Sequence, residues 1–143
     1  MKIADVQILF YAIDATSDLH ASAARWLEDA INDSEPLGLA WPTIHQFLRL
    51  GTNPAFPGCM TDDEAAGWIE EWIDAGIEVI GDVEVGWDLF IELVQASRRS
   101  LRNAIDDAYL AAVAISRGAT LASFDRDFEP FVAHGLRWER PVT

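Results

Sequence analysis

Short apolar segments that alternate with longer stretches of helical periodicity are the feature that most constrains the fold of this chain. The strand-like segments are residues 2–4, 36–40, 77–80, 119–123 and 136–139. The helix-like segments are residues 20–31, 41–50, 61–75, 83–97 and 103–117. This alternation predicts an α/β fold with a mainly parallel sheet and helices on both of its faces.

Two features near the amino terminus concern where helices begin. Ser17 or Asp18 is expected to cap the helix at residues 20–31, because both side chains can accept a hydrogen bond from the first helical turn. Residues 6–13, VQILFYAI, are apolar almost throughout. Their length does not separate a buried helical turn from a longer first strand, so both interpretations stay open.

Two later segments carry a cap followed by an acid three residues on. TDDE at residues 61–64 has the form of a capping box, and NAID at residues 103–106 repeats the pattern. The second pattern would place Asp106 and Asp107 in the first turn of a helix. That helix is expected to end at Gly118, a residue type that favours helix C-termini.

The size of the chain indicates one domain over residues 1–143. Apolar runs stay well short of the roughly 20 residues that a membrane-spanning helix needs. Asp5 also comes too early for a signal-peptide core, so we expect a cytoplasmic protein with no membrane partner. Cys59 is the only cysteine, which excludes an intrachain disulfide and a cysteine-rich zinc site.

The net charge of −14 narrows the possible partners. Nucleic-acid binders usually carry a basic surface, because neutralising phosphates supplies their affinity. The acidic balance therefore argues against a simple groove binder and against a membrane-surface protein. It leaves room for an enzyme whose bound divalent cation faces the phosphate, since such an ion dominates the local charge.

Carboxylates follow the strands that should lie side by side. Asp5 comes directly after the first strand, and Asp125 and Asp127 lie in the turn after residues 119–123. In a parallel sheet these acids emerge at one edge, where functional sites form. Asp107, near the start of the preceding helix, is expected at the same edge. Acids gathered in this way repel one another unless a cation bridges them, and oxygen ligands suit Mg²⁺ or Mn²⁺.

Each acid taken singly also has a structural interpretation. Asp106 can cap a helix, Asp127 can belong to a turn, and Asp107 can interact favourably with a helix dipole. The functional interpretation therefore depends on the convergence of several acids.

Four arginines are candidates for contacts to substrate phosphate, because a guanidinium can bind phosphate through two parallel hydrogen bonds. They are Arg49, Arg98, Arg99 and Arg102. Ion pairing at the surface is the alternative. Trp68 and Trp72 stand four residues apart and are typical of a core-facing stripe, although acidic neighbours also allow a groove for a partner helix.

Several segments together resemble one family, the VapC-type PIN-domain toxins. The matching segments are DVQILFYA at 5–12, WPTIHQFLRL at 41–50, TNP at 52–54, DAYLAA at 107–112, ASFDRDF at 122–128 and GLRWE at 135–139. They occur in the family's order and cover nearly the whole chain. The first and last segments together are specific, whereas any one alone would be weak.

This resemblance implies a PIN-like three-layer sandwich and a metal-dependent endoribonuclease that uses Mg²⁺ or Mn²⁺. It also implies a homodimer held silent by a cognate antitoxin protein. Carried over position by position, it makes Asp5, Asp107 and Asp125 the acids of the metal site and Asp127 a neighbouring acid. It favours a helix over a strand for residues 6–13.

Two positions depart from the family pattern. Gln7 stands where Asn is usual, and Gln46 stands where many members have a metal-site Glu. A neutral amide is a weaker ligand, so a scaffold that binds RNA or antitoxin without cleaving remains an alternative. A phosphoryl-accepting receiver domain also gathers acids at strand ends, but it normally needs a lysine there, and Lys2 is the only lysine.

Overall fold

A five-stranded parallel sheet forms the centre of the computed structural model, which describes residues 1–81 and 83–142. The strands are β1 (Lys2–Ala4), β2 (Leu37–Ala40), β3 (Glu78–Ile80), β4 (Thr120–Ala122) and β5 (Arg137–Glu139). Their order across the sheet is β3-β2-β1-β4-β5, and every neighbouring pair is parallel. The predicted α/β fold with a mainly parallel sheet is confirmed.

Helices connect the strands. They are α1 (Val6–Ile13), α2 (His20–Asn32), α3 (Trp41–Gly51), α4 (Asp62–Asp74), α5 (Trp87–Ala96), α6 (Leu101–Arg117) and a 3₁₀ helix at Arg126–His134. The apolar segment at residues 6–13 is therefore helical, as the resemblance favoured. No helix of the described residues combines the length and the apolar character needed to cross a membrane.

The core lies on both faces of the sheet because strand residues alternate between them. Ile3 packs with residues of α5, α6 and the 3₁₀ helix, including Leu93 and Phe128. The next residue, Ala4, packs on the opposite face with residues of the first four helices, including Phe47 and Trp72. The sheet is thus the middle layer of three.

The register of β1 and β4 positions the site. Ala4 pairs with Ala122, and the Asp5 amide donates a hydrogen bond to the Ala122 carbonyl at 3.0 Å. The chain crosses from β1 to β2 on one side and returns to β4 on the other. Such a switch point leaves a crevice beyond the carboxyl ends of the strands.

One predicted cap and one predicted helix start are wrong, whereas the start of α2 at His20 is confirmed. The N-cap of α2 is Leu19, and Ser17 Oγ instead accepts the Leu19 amide at 3.1 Å in a tight turn. Helix α5 begins at Trp87 instead of residue 83. Val83 and Val85 pack against the core ahead of the helix, and Gly86 is the cap residue.

Helix α6 also begins earlier than predicted. Its N-cap is Ser100, and Asn103 lies inside the first turn, where its side-chain amide donates to Ser100 Oγ at 3.2 Å. Asp106 and Asp107 therefore lie in the second turn of the helix. The capping box at Thr61 is confirmed, as is the end of α6 at Gly118, which has a φ of 65°.

Candidate metal centre

Asp5 is a buried carboxylate between β1 and α1. As the N-cap of α1 it accepts the Val6 amide on Oδ1 at 2.7 Å, and its Oδ2 accepts the Ser123 hydroxyl at 2.7 Å. The residue is 5% exposed. Burial raises the pKa of Asp5 to about 6, the two hydrogen bonds oppose that rise, and the charge of Asp125 adds to it. The fold therefore holds a carboxylate that is costly to ionise.

Asp107 faces the same crevice from α6. Its side chain is 21% exposed. Burial is the main reason that the pKa of Asp107 rises to about 7, and the charges of Asp5 and Asp125 raise it further. The Arg99 guanidinium opposes the shift. Asp107 therefore lies close enough to Asp5 and Asp125 for their charges to repel one another.

Asp125 and Asp127 belong to the turn that leads from β4 into the 3₁₀ helix. Asp125 caps that helix by accepting the Asp127 amide on Oδ1 at 2.8 Å. One carboxylate oxygen from each of Asp107, Asp125 and Asp127 lies within 4.8 Å of the others. We call these three residues the acid cluster. The Asp127 side chain is the most open of them, at 46% exposure.

The four predicted acids therefore meet at one edge of the sheet, in two groups. Asp107, Asp125 and Asp127 form the acid cluster, and Asp5 lies in the adjoining buried position. The predicted metal set of Asp5, Asp107 and Asp125 spans both groups. Asp106, the other acid at this end of α6, is exposed and does not belong to the cluster.

Ser123 links the two groups and was not singled out by sequence reasoning. It is fully buried, donates its hydroxyl to Asp5 and accepts the Asp125 amide at 3.0 Å. A hydroxyl residue directly after an apolar strand and two residues before an acid is the signal that could have found it. Thr43 is a second buried hydroxyl beyond the strand ends, in the first turn of α3, and its Oγ1 has no hydrogen-bond partner among the described residues.

Of the four candidate arginines, only Arg99 forms a salt bridge in the described part of the chain. Its Nη1 lies 3.0 Å from Asp107 Oδ2 and 3.4 Å from Asp127 Oδ2. Arg49, Arg98 and Arg102 are exposed. Gln46, on α3, is partly buried.

The arrangement fits a divalent cation of the hard, oxygen-binding kind. Carboxylates that repel one another at this distance lose that repulsion when a cation lies between them. The pKa values of Asp5 and Asp107 rise mainly because the two side chains are buried, and the charges of neighbouring acids add to the rise. The donor set is all oxygen, as Mg²⁺ and Mn²⁺ prefer.

Comparison with known proteins gives a consistent result. Residues 2–131 match the family model described as the PIN domain. Ribonuclease VapC37 of Mycobacterium tuberculosis is 32% identical over 142 residues, which cover 99% of this chain and 97% of that protein. Ribonuclease VapC43 of the same organism is 33% identical over 144 residues, with coverage of 99% and 96%.

A solved structure shares the fold at low sequence identity. VapBC2 from Rickettsia felis, bound to a DNA fragment from its promoter, superposes with a TM-score of 0.70 and 16% identity. The match covers 99% of this chain and 98% of the solved one.

Proposed function

The chain belongs to the PIN domain family, and on that premise we propose that it is a metal-dependent endoribonuclease acting as the toxin of a toxin–antitoxin pair. Relatives that match almost its full length are named ribonucleases. The observation that carries the proposal is the convergence of the acid cluster beside the buried Asp5.

In this proposal Asp5, Asp107 and Asp125 hold Mg²⁺ or Mn²⁺, and Asp127 contributes a further oxygen at the open side. When bound, a cation of this kind would stabilise the negative charge in the transition state of phosphodiester hydrolysis and would lower the pKa of a water molecule. Ser123 orients Asp5 through its hydroxyl and holds Asp125 through the main chain. Arg99, at the mouth of the crevice, is the best-placed of the candidate arginines to meet a phosphate.

The test is a Mn²⁺ titration by calorimetry, followed by an RNA cleavage assay on the same samples. We expect wild-type protein to bind the ion and Asp107→Asn to lose both binding and cleavage. Asp106→Asn is the matched control, because it removes the same charge from an exposed position one residue away. Equal losses in both variants would show that general charge, and not the acid cluster, controls the activity.

A scaffold that binds without cleaving is the second candidate function, and Gln46 favours it. A neutral amide at this partly buried position contributes less to cation binding than a carboxylate. Gln46→Glu distinguishes the two candidates. An inactive wild type that gains Mn²⁺ binding and cleavage in this variant would identify the weakened scaffold.

The proposed antitoxin needs a docking surface, and an apolar groove on the α2–α4 side provides one. Two adjoining depressions share Ile13 and Trp68, and the larger, of about 730 Å³, continues past Phe10 and Phe56. We call this surface the aromatic groove. Among the described residues that line it, the charged ones are all acidic, namely Asp14, Glu28 and Glu71.

The lining favours one kind of occupant, an amphipathic segment of the antitoxin with apolar side chains towards Trp68 and basic side chains towards the rim. The candidate to test is a small protein encoded beside this gene. We expect Glu71→Arg to weaken its binding, and the exposed Glu70→Arg on the same helix to have a smaller effect. If wild type, Glu71→Arg and Glu70→Arg bind the small protein with equal affinity, the groove is not the antitoxin-binding surface. The homodimer stays a prediction.

A further inference from the structure

One positive side chain lies inside the acid cluster. Arg99 Nη1 contacts Asp107 Oδ2 at 3.0 Å and Asp127 Oδ2 at 3.4 Å, so a single nitrogen bridges two of the three clustered acids. The Arg99 side chain is 37% exposed. The guanidinium thus partly neutralises the oxygens that the proposed function assigns to a cation.

The backbone around Arg99 favours this contact. Residues 97–100 connect α5 to α6, and the Arg99 amide donates to Ser97 Oγ at 3.1 Å. The turn is closed on its other side by Ser100, the N-cap of α6. Arg98, the preceding residue, is exposed and forms no salt bridge among the described residues. Local geometry therefore selects one arginine of the pair.

We propose that Arg99 competes with the metal ion for the acid cluster. The Arg99 guanidinium occupies the cluster in the metal-free protein and leaves it when the cation binds. This inference rests on the proposed function. The guanidinium and the cation compete for the carboxylates of Asp107 and Asp127, and two positive charges a few ångströms apart repel each other. Binding of the ion therefore breaks both contacts of Arg99.

Release has a consequence for the substrate. Once free of the acids, Arg99 lies at the mouth of the crevice with its hydrogen-bond donors unpaired, as a phosphodiester contact requires. Coupling of this kind is reciprocal. A nucleic-acid phosphate that engages Arg99 removes the competitor and strengthens metal binding, so the site loads most readily when RNA is present.

The test compares Arg99→Gln with Arg126→Gln in a Mn²⁺ titration by calorimetry. Arg126 lies between Asp125 and Asp127 in sequence, is exposed and forms no salt bridge among the described residues, so its loss changes the net charge equally without breaking a salt bridge. We expect Arg99→Gln to bind Mn²⁺ about 3- to 20-fold more tightly than wild type, from two partly exposed ion pairs of ordinary strength. Arg126→Gln should stay within about 2-fold, because an exposed charge that forms no ion pair with the acids contributes little.

Thermal unfolding gives a readout that does not involve activity. In EDTA, Arg99→Gln should lower the Tm, since Asp107 and Asp127 lose their counter-charge. In saturating Mn²⁺ the difference from wild type should vanish or reverse, because the contacts are already broken there. If Arg99→Gln does not fold, Arg99→Lys serves in its place and should show a smaller effect of the same sign, since lysine lacks the planar fork.

The outcomes separate this inference from the proposed function. Equal or weaker Mn²⁺ binding in Arg99→Gln, with wild type binding and cleaving, overturns the inference and leaves the ribonuclease proposal standing. If Arg99→Gln binds Mn²⁺ and wild type does not, the result supports the inference, because Arg99 then blocks the acid cluster completely. Absence of binding in every variant at millimolar Mn²⁺ overturns both.

Discussion

The acid cluster with Asp5 is charged and the aromatic groove is apolar, but both leave side chains whose burial or charge a ligand would compensate. The first gathers carboxylates whose charges repel one another, and burial together with this repulsion raises the pKa values of Asp5 and Asp107. The second leaves apolar side chains such as Trp68 partly open to solvent. Each surface therefore gains from a ligand of complementary character, a small cation in one case and a basic apolar segment in the other.

The two regions also differ in how the fold supports them. Asp5 and Asp125 come from opposite ends of the chain and are brought together by the pairing of β1 with β4, and α6 adds Asp107. The groove is formed mainly by α1, α2 and α4, and its floor is continuous with the core. Substitutions in the crevice should therefore alter ligand binding more than folding stability. Substitutions at the groove floor should alter folding stability more than ligand binding.

The largest expected effect tests the first half of this comparison. Asp5→Asn should abolish RNA cleavage while the free energy of unfolding at pH 7 stays the same or rises. Ionising Asp5 opposes folding, because its native pKa is about 6, and asparagine carries no charge. Cleavage and urea unfolding are measured on one preparation. If Asp5→Asn keeps RNA cleavage and loses much of its stability, Asp5 has a structural role and is not a metal-site acid.

The second prediction concerns the groove floor. Trp72 is 5% exposed and packs edge-on against Phe47, whereas Trp68 is only partly buried. Trp72→Ala should lower the free energy of unfolding by roughly 3–5 kcal/mol, because it leaves a cavity in the core. Trp68→Ala should cost clearly less by the same urea measurement. Similar losses of unfolding free energy in the two variants would mean that Trp68 is a core residue and does not belong to a binding surface.

The third prediction is a decline in stability with rising pH that the two acids of the crevice, Asp5 and Asp107, should produce. The native pKa values of Asp5 and Asp107, about 6 and about 7, exceed the unfolded value of 3.8. The native state therefore keeps protons that the unfolded state loses. In EDTA this contribution to stability is fully present below about pH 4 and is lost as the pH rises to about 7. At about 1.4 kcal/mol per pKa unit, the two acids together contribute at most about 7 kcal/mol.

Urea unfolding across that pH range checks the slope. Asp107→Asn should flatten it, while Trp68→Ala should shift the curve without changing its slope. Saturating Mn²⁺ should also reduce the decline, because the cation competes with the protons. An unchanged slope in Asp107→Asn would show that other acids produce it.

The smallest effect is expected at Ser123, where the crevice meets the core. Ser123→Ala removes the donor to Asp5 and the acceptor of the Asp125 amide, at a cost of roughly 1–3 kcal/mol in the free energy of unfolding. Mn²⁺ affinity should fall as well, since both acids lose their orientation. Ser116→Ala, at an exposed position on α6, is the control and should change neither quantity.

The parts of this molecule that periodicity specifies could be predicted from its sequence. Apolar strand segments and helical spacing predicted the parallel sheet, and the sheet in turn predicted that Asp5 and Asp125 would emerge side by side. Helix starts were less predictable, because Ser100 and Asn103 are both good caps and the chain uses the earlier one. Choosing between them requires the packing of the whole helix.

Side-chain contacts in the crevice could not be predicted for a different reason. Arg98, Arg99 and Arg102 are equivalent in sequence, and only the turn at residues 97–100 directs Arg99 to the acids. The membership of Asp127 in the acid cluster depends on the 3₁₀ helix that follows Asp125, which sequence analysis interpreted only as a turn. Burial of Ser123 likewise depends on the completed sheet.

The pairing of β1 with β4 has a consequence for the time at which the crevice can exist during synthesis. Asp5 and its partner Ser123 are 118 residues apart, so a ribosome needs roughly 6–24 s to make the second after the first. The residues that line the aromatic groove have all been made by Ala75. A nascent chain thus contains every residue of the proposed docking surface well before it contains Asp107, Asp125 and Asp127, the residues of the acid cluster.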